Sequence, residues 1–201
     1  QLVPRFYDVT SGSILIDGVN VKDMNLTSLR NKIGFVAQRA NLFSGTIEEN
    51  IRFGKEDATK EEIIHAAKVA QAYDFIMEKP KQFEERIVEG ATNVSGGQKQ
   101  RLSIARSLVR NPQIYIYDDS FGALDFKTDA KLRNALKKEI KNAITLIVAQ
   151  RVSTIIDADK IIVLNEGKIE GMGTHKELLA SCPIYYEIAA SQLSEEELQY
   201  D

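Results

Sequence analysis

Val94-Ser95-Gly96-Gly97-Gln98 and, twenty residues further on, Ile114-Tyr115-Ile116-Tyr117-Asp118-Asp119 decide the fold of this chain. Between them Gly97 to Val109 reads as a helix that stops at Asn111-Pro112. Ile114 to Tyr117 is short, apolar and β-branched enough to be a buried strand. Downstream, Lys127 to Lys141 is helical in pattern, with Leu132, Leu136 and Ile140 on one face and lysines largely on the other, a solvated face. Ile144 to Ala149, read as a buried strand, and Ile161 to Leu164 follow. Thr174 and Glu177 form a capping box ahead of Leu178 and Leu179. Such alternation implies an α/β fold, a parallel sheet with helices on its faces.

Upstream, Ser13 to Asp17 alternates and ends in Asp17-Gly18, with Val19 and Val21 beyond, which predicts a β-hairpin. Asn25 is placed to cap a short helix carrying Leu26 and Leu29, and Lys32 to Ala37 reads as a strand ending at Gln38. The character then changes. Thr59 and Glu62 make a capping box before the apolar stripe of Ile63, Ala66, Ala67 and Ala70. A second helix is expected from Ala72 to Met77, closed by Lys79-Pro80. Residues 45–93 are therefore expected to form a helical subdomain inserted within one domain, 1–201. The acidic tail from Ser194 to Asp201 is expected to fray.

Composition narrows the function. With 201 residues, 43% of them hydrophobic, the chain can bury one sizeable core. A net charge of −3 leaves no basic footprint, so no nucleic-acid partner is expected. The best apolar run, Ile144 to Ala149, falls far short of the ~18 residues that span a bilayer. A lone Cys182 suits a reducing, cytosolic compartment, and two scattered His exclude a structural zinc site. The first segment, Gln1-Leu2-Val3-Pro4-Arg5, is no signal peptide and has no Met, as expected of an excised piece.

Ser95 to Gln98 stands where a helix begins. Glycines allow close backbone approach, and free N–H groups with the helix dipole favour an anion such as phosphate. Ser95 adds a hydroxyl. An ordinary Gly-rich helix cap would look the same, although four such residues recur by chance in roughly one chain in a thousand of this length. Asp118 and Asp119 close a buried strand, where open α/β sheets bind ligands, although a solvated acidic turn would also suit them. Asp125, after Gly122-Ala123-Leu124, could simply cap the next helix. His65 and His175 read as structural and first-turn helix residues, and Tyr115 and Tyr117 as core.

Taken in order, Gln38, Ser95-Gly96-Gly97-Gln98, Asp118, Ala123-Leu124-Asp125 and Gln150-Arg151-Val152-Ser153-Thr154 resemble ABC ATPase domains, over essentially the whole chain. The resemblance implies a P-loop NTPase-type fold that binds ATP with Mg²⁺. It makes Gln38 the Q-loop glutamine near Mg²⁺ and the transmembrane domain, Ser95 to Gln98 the signature motif with Val94 in place of Leu, and Asp118 the Walker B aspartate. Asp125 belongs to the D-loop, where Gly122 replaces Ser. Phe43-Ser44-Gly45-Thr46-Ile47 with Glu48-Glu49-Asn50-Ile51 looks like the exporter branch. Glu89 lies where exporters carry an acidic loop that meets the coupling helices, Arg86 to Gly90 being a divergent copy. The implied location is the cytoplasmic face of a cell membrane, as part of a transporter.

Three departures qualify this. No Gly-x-x-x-x-Gly-Lys-Ser/Thr loop occurs in the chain; Gly54-Lys55 and Gly167-Lys168 are followed by Glu and Ile. By the resemblance the Walker A loop and N-terminal strands belong upstream of Gln1, and their lack should expose apolar sheet surface and leave the chain by itself poorly stable and inactive. Asp119 stands where the family has the Glu that polarises the attacking water, one methylene short. Gln150 stands at the switch histidine; its amide donates a hydrogen bond but carries no charge. The pair resembles the degenerate subunit of a heterodimeric exporter, whose signature motif completes the site of a head-to-tail partner domain. Other classes compatible with the motifs are a non-transport ABC ATPase of DNA repair or chromosome structure, though no heptad array interrupts the chain, and a regulatory nucleotide-binding module without turnover.

Overall fold

Asp17 and Gly18 turn the chain with φ of 52° and 79°, the left-handed pair that a two-residue type I′ hairpin requires. They join β1 (Leu15–Ile16) to β2 (Val19–Asn20) as the expected antiparallel pair, shorter than anticipated because Val21 already begins a helical turn. The structure, a computed structural model, describes residues 1–198 and divides into two units, Gln1–Val148 and Ala149–Asp201.

In the first unit Asn25 caps α1 (Leu26–Asn31), its side-chain oxygen accepting from the Thr27 and Ser28 N–H groups at 3.0 and 3.1 Å. Strand β3 (Ile33–Val36) follows. Then come β4 (Gly45–Thr46), α2 (Ile47–Arg52), α3 (Lys60–Val69), α4 (Tyr73–Met77) and β5 (Arg86–Ile87). Capping boxes at Thr46/Glu49 and Thr59/Glu62 start α2 and α3, and β5 returns to pair antiparallel with β4. Next are α5 (Gly96–Val109), β6 (Ile114–Asp118), α6 (Phe126–Glu139) and β7 (Ile144–Val148).

Strands β3, β6 and β7 form one parallel sheet in that order, with Val36 beside Tyr117 and Tyr117 beside Ile147. β6 is covered on both faces, which explains its unbroken apolar run. Tyr115 and Tyr117 enter the main core with Val36, Leu102, Ile104 and Leu132. Ile114 and Ile116 pack with Ile33, Leu29 and Val21 on the other face. β7 departs from expectation. Ile144, Leu146 and Val148 are 62, 43 and 56% exposed; they alternate along β7 and share one face, which is left uncovered among the described residues, while Ile147 on the other face packs against the main core. The sheet therefore does present apolar surface.

The second unit holds α7 (Val152–Ile155), β8 (Ile161–Asn165), β9 (Lys168–Gly173), α8 (His175–Ser181), α9 (Pro183–Ala190) and α10 (Glu195–Leu198). Here alternation misleads: β8 does not join the parallel sheet but pairs antiparallel with β9. Glu166 and Gly167, at φ 47° and 77°, turn the hairpin, a pair of the Asp-Gly kind; β9 and α9 have no counterpart among the expected elements. Thr174 makes the expected capping box with Glu177. Leu178, Cys182, Tyr185 and Ala189 cover Val152, Ile161 and Val163 in a core of their own. Of the tail expected to fray, Glu195–Leu198 is one helical turn, and Gln199 to Asp201 lie outside the described residues. Among the described residues no helix is long and apolar enough to cross a membrane.

Gly54, just past α2, lies directly against α5. A Cβ built there would sit 2.0 Å from the Arg106 carbonyl oxygen, a backbone atom within a helix that cannot swing away. Gly54→Ala is expected to destabilise the chain by about 1–3 kcal/mol, the usual range for overpacking, read as a lower midpoint in chemical denaturation.

Candidate functional site

The carboxyl ends of β3, β6 and β7 meet around Asp118 and Asp119. Asp118 is the last residue of β6 and half-buried. Asp119 follows at φ 47°, a left-handed conformation that Asp tolerates better than most residues. Its N–H donates to the Val148 carbonyl at the end of β7, at 2.9 Å. The Gln38 amide Nε2 donates to Asp119 Oδ2 at 3.0 Å, so Gln38, two residues beyond β3, meets the carboxylate across 81 residues of sequence. Ser120, fully buried, donates its hydroxyl to the Val36 carbonyl at 2.8 Å. That bond holds the last residue of β3 against the turn that carries Asp119.

Ser95 is the N-cap of α5. Its Oγ accepts from the Gln98 N–H at 3.2 Å, and Gln98 Oε1 accepts from the Ser95 N–H at 3.0 Å, a complete capping box. The ordinary-cap reading is thus realised, and because the cap uses the Ser95 hydroxyl only as an acceptor, its O–H stays chemically able to donate. The two glycines differ. A Cβ on Gly97 would lie 3.3 Å from the Ala123 carbonyl oxygen and 3.6 Å from Leu124 Cδ2, so the 122–125 loop rests against the start of α5. A Cβ on Gly96 would meet open space within 4 Å. The chain's own packing therefore explains Gly97 but places no demand on Gly96, as suits a helix end kept open for an incoming anion.

Asp125 caps α6, accepting from the Thr128 N–H at 2.9 Å. Hydrogen bonds from the Thr128 backbone and side chain hold its carboxyl below the usual carboxylate range. Gln150 belongs to the second unit, where its carbonyl accepts from Gln192 Nε2 at 3.0 Å while Gln192 Oε1 accepts from the Val152 N–H at 2.9 Å. His65 pairs with Glu139 at 2.8 Å on the surface. His175, in the first turn of α8, contacts the Tyr185 hydroxyl at 2.8 Å, and burial lowers its pKa. Glu89 opens a single 3-10 turn after β5.

Sequence reasoning missed Ser120 and the donors along α5. Gln100 Nε2 donates to the Ala37 carbonyl at 3.1 Å, Arg101 to the Gln71 carbonyl at 2.6 Å, and Arg106 to the carbonyls of Asn50 and Asn41 at 2.8 and 2.9 Å. A polar residue on an otherwise apolar helix face was the available signal, since a buried donor implies an acceptor. Among the described residues no group of three or more His, Cys, Asp or Glu could hold a metal ion. One carboxylate and one amide oxygen at strand ends do fit Mg²⁺, which keeps several waters and takes its remaining ligands from phosphate.

The ABC transporter family model matches residues 1–122. A provisionally named multidrug export ATP-binding/permease protein of Staphylococcus aureus strain NCTC 8325 is 50% identical over 192 residues, 96% of this chain and 33% of that protein. The namesake from strain COL matches to the same extent. The structure of a bacterial Atm1-family ABC exporter with ATP bound superposes with a TM-score of 0.93 at 39% identity, covering 96% of this chain and 34% of that one. The chain thus spans about a third of the length of these relatives.

Because the folded-state pKa of Asp125 is depressed, its contribution to stability is present above the ordinary value of 3.8 and is lost as pH falls through the lower folded value. Asp125→Ala is expected to lower the thermal midpoint at pH 7. The gap from the unmutated chain should shrink steadily once the pH drops below 3.8.

Proposed function

This chain belongs to the ABC transporter family, and from that premise we propose that it is the ATP-binding domain of an exporter, coupling ATP binding and hydrolysis to substrate export across a membrane. The observation that carries the proposal is the convergence at the strand ends: Gln38 hydrogen-bonded to Asp119, beside Asp118. Asp118 and Gln38 would hold Mg²⁺. Bound there, the ion would neutralise charge on the terminal phosphates of ATP. The open end of α5 at Ser95, Gly96, Gly97 and Gln98 supports phosphate binding, with Ser95 and the N–H groups as donors. Asp125 places the 122–125 loop beside Gly97 by capping α6.

The same reading makes this domain's own site degenerate. Asp119 would act as general base toward water, but its carboxylate is one methylene short of a Glu and is engaged by the Gln38 amide. Misplacement of a catalytic group by ~1 Å costs on the order of 100-fold. Gln150 would donate to the γ-phosphate without supplying charge. Ser95 to Gln98 would instead complete the competent site of a second ATPase domain, paired head to tail as a heterodimer. Residues 45–93 would be the helical subdomain, a reading supported by the β4–β5 pair that closes around α2, α3 and α4. The domain would sit on the cytoplasmic face of the membrane and meet the coupling helices of a transmembrane domain.

Two measurements test this. Titration of Mg-ATP is expected to show binding by a version extended upstream through a Walker A loop and none by the 201-residue chain; tight binding by the chain as it stands would defeat the account of its own site. In the full transporter with its partner domain, Asp119→Glu together with Gln150→His should raise the ATPase rate about tenfold or more. An unchanged rate would sink the degenerate-site assignment.

A further inference from the structure

β3 ends at Val36, and the segment leading to Gln38 leaves the sheet there. Two side chains from different parts of the chain hold its exit. The Ser120 hydroxyl, from the Asp119 turn, takes the Val36 carbonyl at 2.8 Å. The Gln100 amide takes the next carbonyl, Ala37, at 3.1 Å. Gln100 is only 2% exposed, and it lies in the first turns of α5, two residues beyond the Ser95–Gln98 end. A primary amide so deeply buried is costly unless bonded, and an apolar side chain of equal length would pack there at least as well.

We propose that Gln100 is a positioning residue, tying the phosphate-facing end of α5 to the backbone that carries Gln38. The inference rests on the nucleotide-binding reading above and extends it: Ser95–Gln98 and Gln38–Asp119 serve different nucleotides in that reading, and Gln100 is the strut between them. An N–H···O bond weakens steeply outside a narrow range of distance and angle. Movement of the start of α5 toward a phosphate is therefore passed to Ala37, and through Gln38 to the Asp119 carboxylate 3.0 Å away. Gln100 touches no substrate itself. Its effect must run through Gln38.

The experiment uses the full transporter with its partner domain, reconstituted in lipid and carrying Asp119→Glu with Gln150→His so that the Gln38 site itself turns over, and reads kcat and KM for Mg-ATP with the thermal midpoint as a check on folding. Gln100→Met keeps the length and removes the donor; Gln100→Glu keeps the shape and sets a carboxylate against the Ala37 carbonyl. Both are expected to lower kcat per folded molecule about tenfold or more while KM stays within twofold. In a Gln38→Ala background, Gln100→Met should lower kcat by less than a further twofold, since the strut then has nothing to position. The proposal is overturned if folded Gln100→Met keeps kcat within twofold of the Asp119→Glu/Gln150→His parent, or if its loss adds in full to that of Gln38→Ala. Should Gln100→Met fold poorly, the same criteria apply to Gln100→Glu. Absence of Mg-ATP turnover in the unmutated transporter overturns the functional reading and the strut together, whereas normal turnover with unchanged Gln100 variants overturns the strut alone.

Discussion

Backbone carbonyls that leave regular structure still need donors, and in the first unit a single helix supplies many of them. Side chains of α5 reach outward along its length: Lys99 to the Gly90 carbonyl, Gln100 to Ala37, Arg101 to Gln71, and Arg106 to Asn41 and Asn50. Those acceptors lie on the turn after β5, the exit of β3, the link between α3 and α4, and the segment around α2. Irregular chain from several places is thereby gathered onto one rigid element. Arg106 shows the energetics. Burial pulls its pKa down to about 10, so it remains charged at neutral pH. Its guanidinium bonds neutral oxygens and lies 5.0 Å from the Phe43 ring centroid and 5.7 Å from that of Phe53. Carbonyl dipoles and ring faces offset the loss of water in place of a carboxylate.

From this arrangement the site geometry follows. A helix that grips the exit of β3 also presents its own N-terminus, so Ser95–Gln98 and Gln38 are set by one body. Asp119 adopts a left-handed backbone and hands its N–H to the end of β7, which draws a third strand into the same place. Carboxylate, amide and helix end are then arranged by hydrogen bonds within the chain itself. Gly96 has no packing partner in this frame, whereas Gly97 is pressed against the 122–125 loop. The contrast separates a glycine that the chain's own packing calls for from one that it does not.

Much of this was legible in the residues because its causes are local. Asp17-Gly18 specifies its hairpin by φ alone, and Thr59 with Glu62 specifies a helix start by a bond three residues long. The apolar run Ile114 to Tyr117 specifies a strand covered on both faces. The motifs carried by Gln38, Ser95–Gln98, Asp118 and Asp125 could be named in order for the same reason. Each is a short pattern whose chemistry resides in its own few residues.

What depends on partners distant in sequence could not be read. Ile144 to Val148 is as apolar as β6, yet one of its faces is exposed, since exposure is set by what packs on each face of a strand and not by its composition. β8 pairs with β9 in place of the parallel sheet for a similar reason. Gln38 and Asp119 stand 81 residues apart, and Gln100 and Ala37 63 apart; nothing in either stretch announces the other. The sequence by itself determined the buried strand β6, the local turns and caps, and the chemical groups available at the site. Only the tertiary structure decided which carbonyl each buried donor would satisfy, because that choice is made by the packing that brings distant backbone within 3 Å.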